Sequence, residues 1–300
     1  MEGVPGNAGL SFFYLRQTSD IRRQTQEVFF MSQRILITGG ASGLGRALAE
    51  YYLDAGARVL ITDINEERGE ATQFELRAKG EVHFLKADSC NDNDWAMLVE
   101  WCQKTWQGLD VLFNNAGVAA GGRFDKISMD DWDWIIDINL KAVVRGSKAF
   151  TPLFKAQHSG HIVSTASLAA IANAPTMSSY NVTKAAVVSL SETLRYELES
   201  YGVRVSVICP GFFQTNLAES MRTPEPALEQ SVRKLLAGGS MNAEQVAEYI
   251  GKAVSKNRFL ILPHREGRML WRIKRFLPFL YRRGMSQAGR TLRKKLERAE

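Results

Sequence analysis

Cysteine is scarce in this chain: Cys90, Cys102 and Cys209 are the only three among 300 residues, and their spacing matches no metal-ligand pattern. So sparse and odd a set argues against a disulfide-stapled scaffold and a structural metal site, and suits reduced thiols in a cytosolic compartment. No metal is therefore expected. Long hydrophobic runs are missing too, and no stretch approaches the ~18 apolar residues that a spanning helix needs. The apolar patch at residues 10–15 is short and is followed by Arg16, Asp20, Arg22 and Arg23, which is not how a secretory signal reads. Internal repeats and low-complexity linkers are absent, so one domain is the economical expectation. The body also lacks net positive charge. Residues 258–300 hold thirteen Lys/Arg against three Glu, a net of +10, while the whole chain carries only +6. The basic character belongs to the tail, and no nucleic-acid partner is expected.

What is present, from Arg34 onward, is alternation. Short apolar strands at 35–38, 57–63, 82–88, 111–114, 161–165, 204–208 and 259–262 are separated by helical stretches at 44–55, 65–79, 91–107, 129–154, about 179–200 and 243–255. Strands alternating with helices imply βαβ units and a parallel sheet, and strands apolar on both sides imply cover on both faces. The expectation is a single α/β domain of the doubly wound Rossmann type, with a seven-stranded parallel sheet. Its expected bounds are 31–263, after an N-terminal extension of little structural role at 1–30. A basic amphipathic extension follows at 264–300.

The first strand runs into Thr38-Gly39-Gly40-Ala41-Ser42-Gly43-Leu44-Gly45, which then opens a helix. In that context a glycine-rich turn lets backbone N–H groups approach a pyrophosphate, and the helix N-terminus favours its charge. Asp63 closes the second strand, where a carboxylate can accept from ribose hydroxyls and would repel a 2′-phosphate, favouring NAD over NADP. Arg46 and Arg58 could in principle serve a 2′-phosphate instead. Asp88-Ser89 and Asn114-Asn115-Ala116-Gly117 end the third and fourth strands, at the edge where ligands bind in open α/β sheets. Further on, Tyr180 and Lys184 stand four residues apart and share a face if helical. An ammonium ~4 Å from a phenol contributes about 4 kcal/mol at an effective dielectric of ~20, roughly three pKa units downward, with desolvation opposing it. Such a pair suits general acid/base work, although Tyr-x-x-x-Lys alone is a weak signal.

Assembled in order, these motifs resemble the short-chain dehydrogenase/reductase family over about residues 33–263. The glycine turn, Asn114-Asn115-Ala116-Gly117, Asn139, Ser167, Tyr180, Lys184, Pro210-Gly211 and Thr215 all have counterparts, and the offset of thirteen from Ser167 to Tyr180 is typical. The resemblance implies that Tyr180 exchanges the proton with the substrate oxygen and that Lys184 binds the nicotinamide ribose and lowers the phenol's pKa. Ser167 would hydrogen-bond the substrate oxygen, and Asn139 would hold a water linking Lys184 to solvent. Pro210, Gly211, Phe213 and Thr215 would position the carboxamide, while Phe212 and Leu217 would face the substrate. Ser164, Ala166 and Ala170 depart from the usual Asn, Ser and Gly, which bears on pocket shape.

The resemblance makes 212–241 the lid. Its apolar residues suit an apolar alcohol or ketone, or else simply pack on the core. The tail's Leu270, Ile273, Leu277 and Leu280 recur at helical spacing among arginines, with Pro278 expected to break the helix. Such a helix can lie on an anionic membrane surface through 265–283, dock on a neighbouring subunit, or cover the cleft. The implied function is an NAD(H)-dependent oxidoreductase interconverting a secondary alcohol and a ketone, cytoplasmic or peripheral to a membrane. A homodimer or homotetramer is expected. The alternatives are an NADP-dependent carbonyl reductase and an idle dinucleotide-binding sensor or scaffold.

Overall fold

Successive side chains of a strand point to opposite faces of its sheet, and in β1 (Arg34–Thr38) both directions are apolar. Ile35 and Ile37 enter one core with Val59, Ile61 and Phe113, while Leu36 enters the other with Leu60, Leu112 and Ile162. The computed structural model describes residues 33–296, with side chains to 294; the expectation for residues 1–30 lies outside the described residues. Its sheet has seven parallel strands in the order β3-β2-β1-β4-β5-β6-β7. The remaining strands are β2 (Arg58–Asp63), β3 (Val82–Lys86), β4 (Val111–Asn114), β5 (Gly160–Thr165), β6 (Val203–Ile208) and β7 (Leu260–Ile261). Strand order reverses between β1 and β4, so their carboxyl ends, at Thr38 and Asn114, flank a crevice.

One face of the sheet is covered by α1 (Gly43–Asp54) and α9 (Ala243–Val254), whose Leu48, Tyr52, Val246 and Ile250 are fully buried. The other is covered by α3 (Asp92–Trp106) and α5 (Ala142–Gln157) through Trp95, Leu98, Phe150 and Phe154. The helix α2 (Glu66–Leu76) packs beside β3, ending three residues before the expected Lys79. The expected long helix at 129–154 is interrupted. It comprises α4 (Met129–Ile136), a π turn at Asp137–Lys141 and then α5, with the Ala142 N–H bonding the Asp137 carbonyl. Extra-wide turns of this kind recur at functional sites.

After β5 come a short α6 (Ala169–Ala172) and the long α7 (Ser178–Leu198). Tyr180, Lys184, Val187 and Ser191 are all buried and form the inner stripe of α7, at the spacing of one helix face. The lid region holds a 3₁₀ turn at Asn216–Ser220 and α8 (Pro226–Ala237). The tail forms α10 (Arg265–Phe276) and α11 (Pro278–Leu296), broken at Leu277 just before Pro278. No helix among the described residues is long and apolar enough to cross a membrane.

Candidate active site

The crevice is held open by cross-strand bonds from Thr38. Its hydroxyl donates to the Phe113 carbonyl and accepts from the N–H groups of Asn115 and Ala116, both at 3.0 Å. Asn115 completes the tie, donating to the Thr38 carbonyl at 3.0 Å and accepting from Thr165 Oγ1 at 3.2 Å. Its side chain thus braces the ends of β1, β4 and β5, leaving Ala116 and Gly117 to face the cleft.

The glycine turn has two separate reasons for glycine. Gly39 sits at φ +62, a conformation most side chains avoid, and a Cβ on Gly45 would fall 2.1 Å from the Gly39 carbonyl oxygen. Because the obstacle is backbone, Gly45→Ala must push the turn apart. We expect it to cost about 1–3 kcal/mol of stability and to weaken dinucleotide binding. Melting curves and calorimetric titration check this, and wild-type values in both would refute the packing argument.

The N-terminus of α1 is the open one. The next three helices are capped by side chains, Asn65, Asn91 and Ser128, and each carries acidic residues in its first turn. At α1 the Ser42 side chain makes no cap bond and the first turn holds no acid. The first-turn N–H groups and the positive end of the helix dipole are therefore available to an anion. Asp63 stands beside this turn, its carboxylate accepting from Ala41 N–H at 3.3 Å and Asn65 N–H at 3.0 Å. The residues present fit a dinucleotide's pyrophosphate and adenosine ribose.

Asp88 turns its carboxylate onto Cys90 N–H at 2.8 Å, and the Ser89 carbonyl receives the Trp95 indole N–H at 2.9 Å. Arg46 is paired with Glu75 at 2.5 Å. Arg58 pairs in register with Arg34, at the amino end of β2, so it stands a strand's length from the cleft. It cannot serve a phosphate there, which corrects one of the two possibilities read from the sequence.

The reacting end lies where β5, α7 and the π turn meet. Ser167 lies beside the Tyr180 hydroxyl, where a hydrogen bond from it lowers the phenol's pKa. Lys184 donates to the Thr165 carbonyl at 2.9 Å, and its ammonium lies 5.8 Å from the centre of the Tyr180 ring. A Cβ on Gly117 would come within 3.2 Å of that ammonium and 3.0 Å of Asn139 Oδ1, so the glycine keeps the floor of the cleft clear beside both. Burial drives the electrostatics. It pushes the Tyr180 phenol above its ordinary value, although the Ser167 hydrogen bond pulls the other way. It brings the Lys184 ammonium down to about 8. The neighbouring Cys209 thiol is pushed up to about 12 and stays protonated. The phenol of the protein by itself is thus raised rather than lowered, because desolvation, with a smaller push from Cys209, outweighs the Ser167 hydrogen bond.

Asn139 is fully buried, with its amide closing on Val118 at both ends: Oδ1 accepts from Val118 N–H at 2.8 Å and Nδ2 donates to its carbonyl at 2.9 Å. Its side chain locks the π turn to the Gly117–Val118 loop.

Pro210 and Gly211 follow β6, and a residue not anticipated from the sequence holds them. His264, 4% exposed at the start of α10, accepts the Gly211 N–H at 3.0 Å on Nδ1 and packs against Phe213 at 5.9 Å between ring centroids. Burial holds its pKa below the ordinary value, so it stays neutral and keeps that bond. Its signal in the sequence was slight, a single polar residue ending an apolar strand. Thr215 lies across from Gly43, whose Cβ would meet Thr215 Cβ at 3.5 Å, and its hydroxyl accepts from Leu217 N–H at 3.4 Å. In the lid, Leu217 joins Ala218, Met221, Val232 and Leu236 in a small core of its own, while Phe212 is exposed. Arg233 and Arg222 pair with Glu229 and Asp131. Arg123 and Glu225 tie the lid to the loop after β4.

Fold and site together define an oxidoreductase built on a Rossmann-type nucleotide-binding sheet. The model of short chain dehydrogenases matches residues 33–226. The C alpha-dehydrogenase of Sphingobium sp. is 33% identical over 253 residues, covering 80% of this chain and 83% of that protein. The CLA biosynthesis dehydrogenase/reductase of Lactiplantibacillus plantarum is 31% identical, over 79% of this chain and 90% of its own. Among solved structures, a short chain dehydrogenase/reductase from Burkholderia phymatum in complex with NAD superposes with a TM-score of 0.78 at 32% identity, over 82% of this chain and 94% of its own. The chain belongs to the short-chain dehydrogenase/reductase family.

Proposed function

We propose that the protein is an NAD(H)-dependent oxidoreductase that interconverts a secondary alcohol and a ketone on an apolar substrate, with Tyr180 as the acid/base. The observation that carries this reading is the buried Tyr180, with Ser167 beside its hydroxyl and the Lys184 ammonium 5.8 Å from its ring centre. A bound nicotinamide would supply the hydride acceptor or donor. Tyr180 Oη takes the hydroxyl proton of an alcohol, or gives it to a carbonyl oxygen, and Ser167 Oγ holds that same oxygen in line. Lys184 contributes positive charge that favours the phenolate, in a site where Tyr180 is 6% exposed and charge is weakly screened. Gly39, Ser42, Gly43, Leu44 and Gly45 would hold the pyrophosphate, and Ala116 and Gly117 would line the floor. Pro210, Gly211, Phe213 and Thr215 would meet the carboxamide end.

Asp63 beside the glycine turn supports NAD over NADP, since a 2′-phosphate there would face its carboxylate while Arg46 is engaged with Glu75. The buried apolar surroundings of Tyr180, including Ala120, Ile135 and Ala169, support an apolar substrate. Exposed Val182 and Tyr196 on α7, with Val144 on α5, support assembly of a homodimer or homotetramer through these helices. The test is absorbance of reduced cofactor with NAD⁺ or NADP⁺ over a panel of apolar secondary alcohols. NAD⁺ is expected to be preferred by at least about tenfold, or 1.4 kcal/mol, with the preference falling in Asp63→Ala. Preference for NADP⁺ would support a carbonyl reductase instead, and binding without turnover on any alcohol or ketone would point to a sensor.

A further inference from the structure

The two tail helices rest one half-buried face on the body and leave the other bare. On α10, Gly267 lies against Leu168, Trp271 packs in a cluster with Ile171, and Lys274 Nζ donates to the Ile171 carbonyl at 2.6 Å. On α11, the Tyr281 hydroxyl donates to the Ala172 carbonyl, and Gly289 abuts Pro175. These contacts fasten both helices to the segment that follows Ser167. At the junction of the helices the chain does the opposite: every residue from 275 to 280 is exposed. Phe276, Leu277, Phe279 and Leu280 are 67%, 52%, 64% and 55% exposed, and Met269 on the same side of α10 is 60% exposed. Five consecutive apolar residues, Phe276-Leu277-Pro278-Phe279-Leu280, thus stand in water at an apex, which a fold does not leave bare without a partner.

Charge says which partner. Arg272 and Arg275 precede the run and Arg282 and Arg283 follow it, and none of the four has an ion pair among the described residues. Between 258 and 294 the sole acidic residue is Glu266. A second copy meeting this apex through a two-fold axis would bring eight arginines together with almost no carboxylate to receive them. An anionic bilayer offers both complements at once, an apolar interior for the aromatic and aliphatic side chains and a phosphate layer for the arginines. We propose that the α10–α11 apex docks on an anionic lipid surface, with Leu277, Phe279 and their apolar neighbours entering the headgroup–acyl boundary. No described helix is long and apolar enough to span, so the attachment is peripheral.

The experiment is co-sedimentation of the full chain with phosphatidylcholine vesicles, with and without phosphatidylglycerol. Leu277→Ser/Phe279→Ser and Arg282→Glu/Arg283→Glu are tested in parallel, all at exposed positions. Wild type is expected to pellet with the anionic vesicles, less so as salt rises. Each basic group near such a surface is worth about fivefold in partitioning, so the arginine variant should lose at least tenfold, and the apolar variant should also fall, with melting temperatures unchanged. Three results would overturn the proposal. One is no pelleting with anionic vesicles, and another is equal pelleting of wild type and both variants. The third is a concentration-dependent dimer, abolished by Leu277→Ser/Phe279→Ser, with no vesicle binding; this would assign the apex to a second copy.

Discussion

Tyr180→Phe is expected to lower kcat for alcohol oxidation by about 10²–10⁴-fold, the usual worth of a positioned acid/base, with dinucleotide affinity close to wild type. The separation of the two readouts follows from what the substitution removes. The ring remains, packed against Ala120, Ile135 and Ala169, so the wall of the site is unchanged. Only the hydroxyl goes, and with it one hydrogen bond to Ser167, worth about 1 kcal/mol of stability. The pH profile carries a second part of the test. Burial holds the phenol above its ordinary value in the free protein, so the phenolate fraction, and with it the oxidation rate, climbs through the alkaline range. Lys184, brought down to about 8 by burial, loses its charge in the same range and removes part of the support for the phenolate. Wild-type turnover by Tyr180→Phe would remove Tyr180 from the chemistry altogether.

The strands and their order of appearance were legible because both faces of the sheet are covered, and continuous apolar runs such as Ile35-Leu36-Ile37 have few other uses. The glycine turn was legible for a related reason: its residues answer to local backbone geometry, which sequence records directly. What sequence did not record were relations between distant segments. Arg58 looked available to a phosphate until strand register put it opposite Arg34, at the far end of the sheet. His264 reads as one polar residue after an apolar strand, and only the fold brings it to Gly211, 53 positions earlier. The π turn around Asn139 left no mark on apolar periodicity; it depends on Val118 satisfying both ends of a buried amide. The direction of the Tyr180 shift was misjudged for the same reason. A Tyr–Lys spacing fixes which side chains neighbour one another on a helix, whereas the desolvation that raises the phenol comes from everything packed over it.

Acid is expected to destabilise the protein through His161, a group remote from the chemistry. His161 lies in β5, 2% exposed, with Nε2 2.7 Å from Ser206 Oγ, and that hydroxyl donates in turn to the Arg258 carbonyl at 2.8 Å. Because the hydroxyl proton is committed to Arg258, the imidazole donates to Ser206 from a protonated Nε2, which leaves Nδ1 as the place for a second proton. A second proton would bury a charge. Desolvation, with a smaller contribution from Arg204, lowers the pKa to about 3. The unfolded chain, with an ordinary histidine near ~6.5, binds this proton throughout the interval between. Stability is therefore present in full above ~6.5 and is lost as the pH falls, by about 1.4 kcal/mol per unit. The comparison that isolates this group is His161→Gln, which does not titrate. At neutral pH the variant should be the less stable, because its side chain fits the Ser206 site poorly. From pH 7 to pH 4 the gap between the two proteins should close by roughly 3 kcal/mol, read from urea unfolding at each pH. A gap that stayed constant over that range would mean the folded chain protonates His161 as readily as the unfolded one, and the neutral Nε2–H chain through Ser206 would then be wrong.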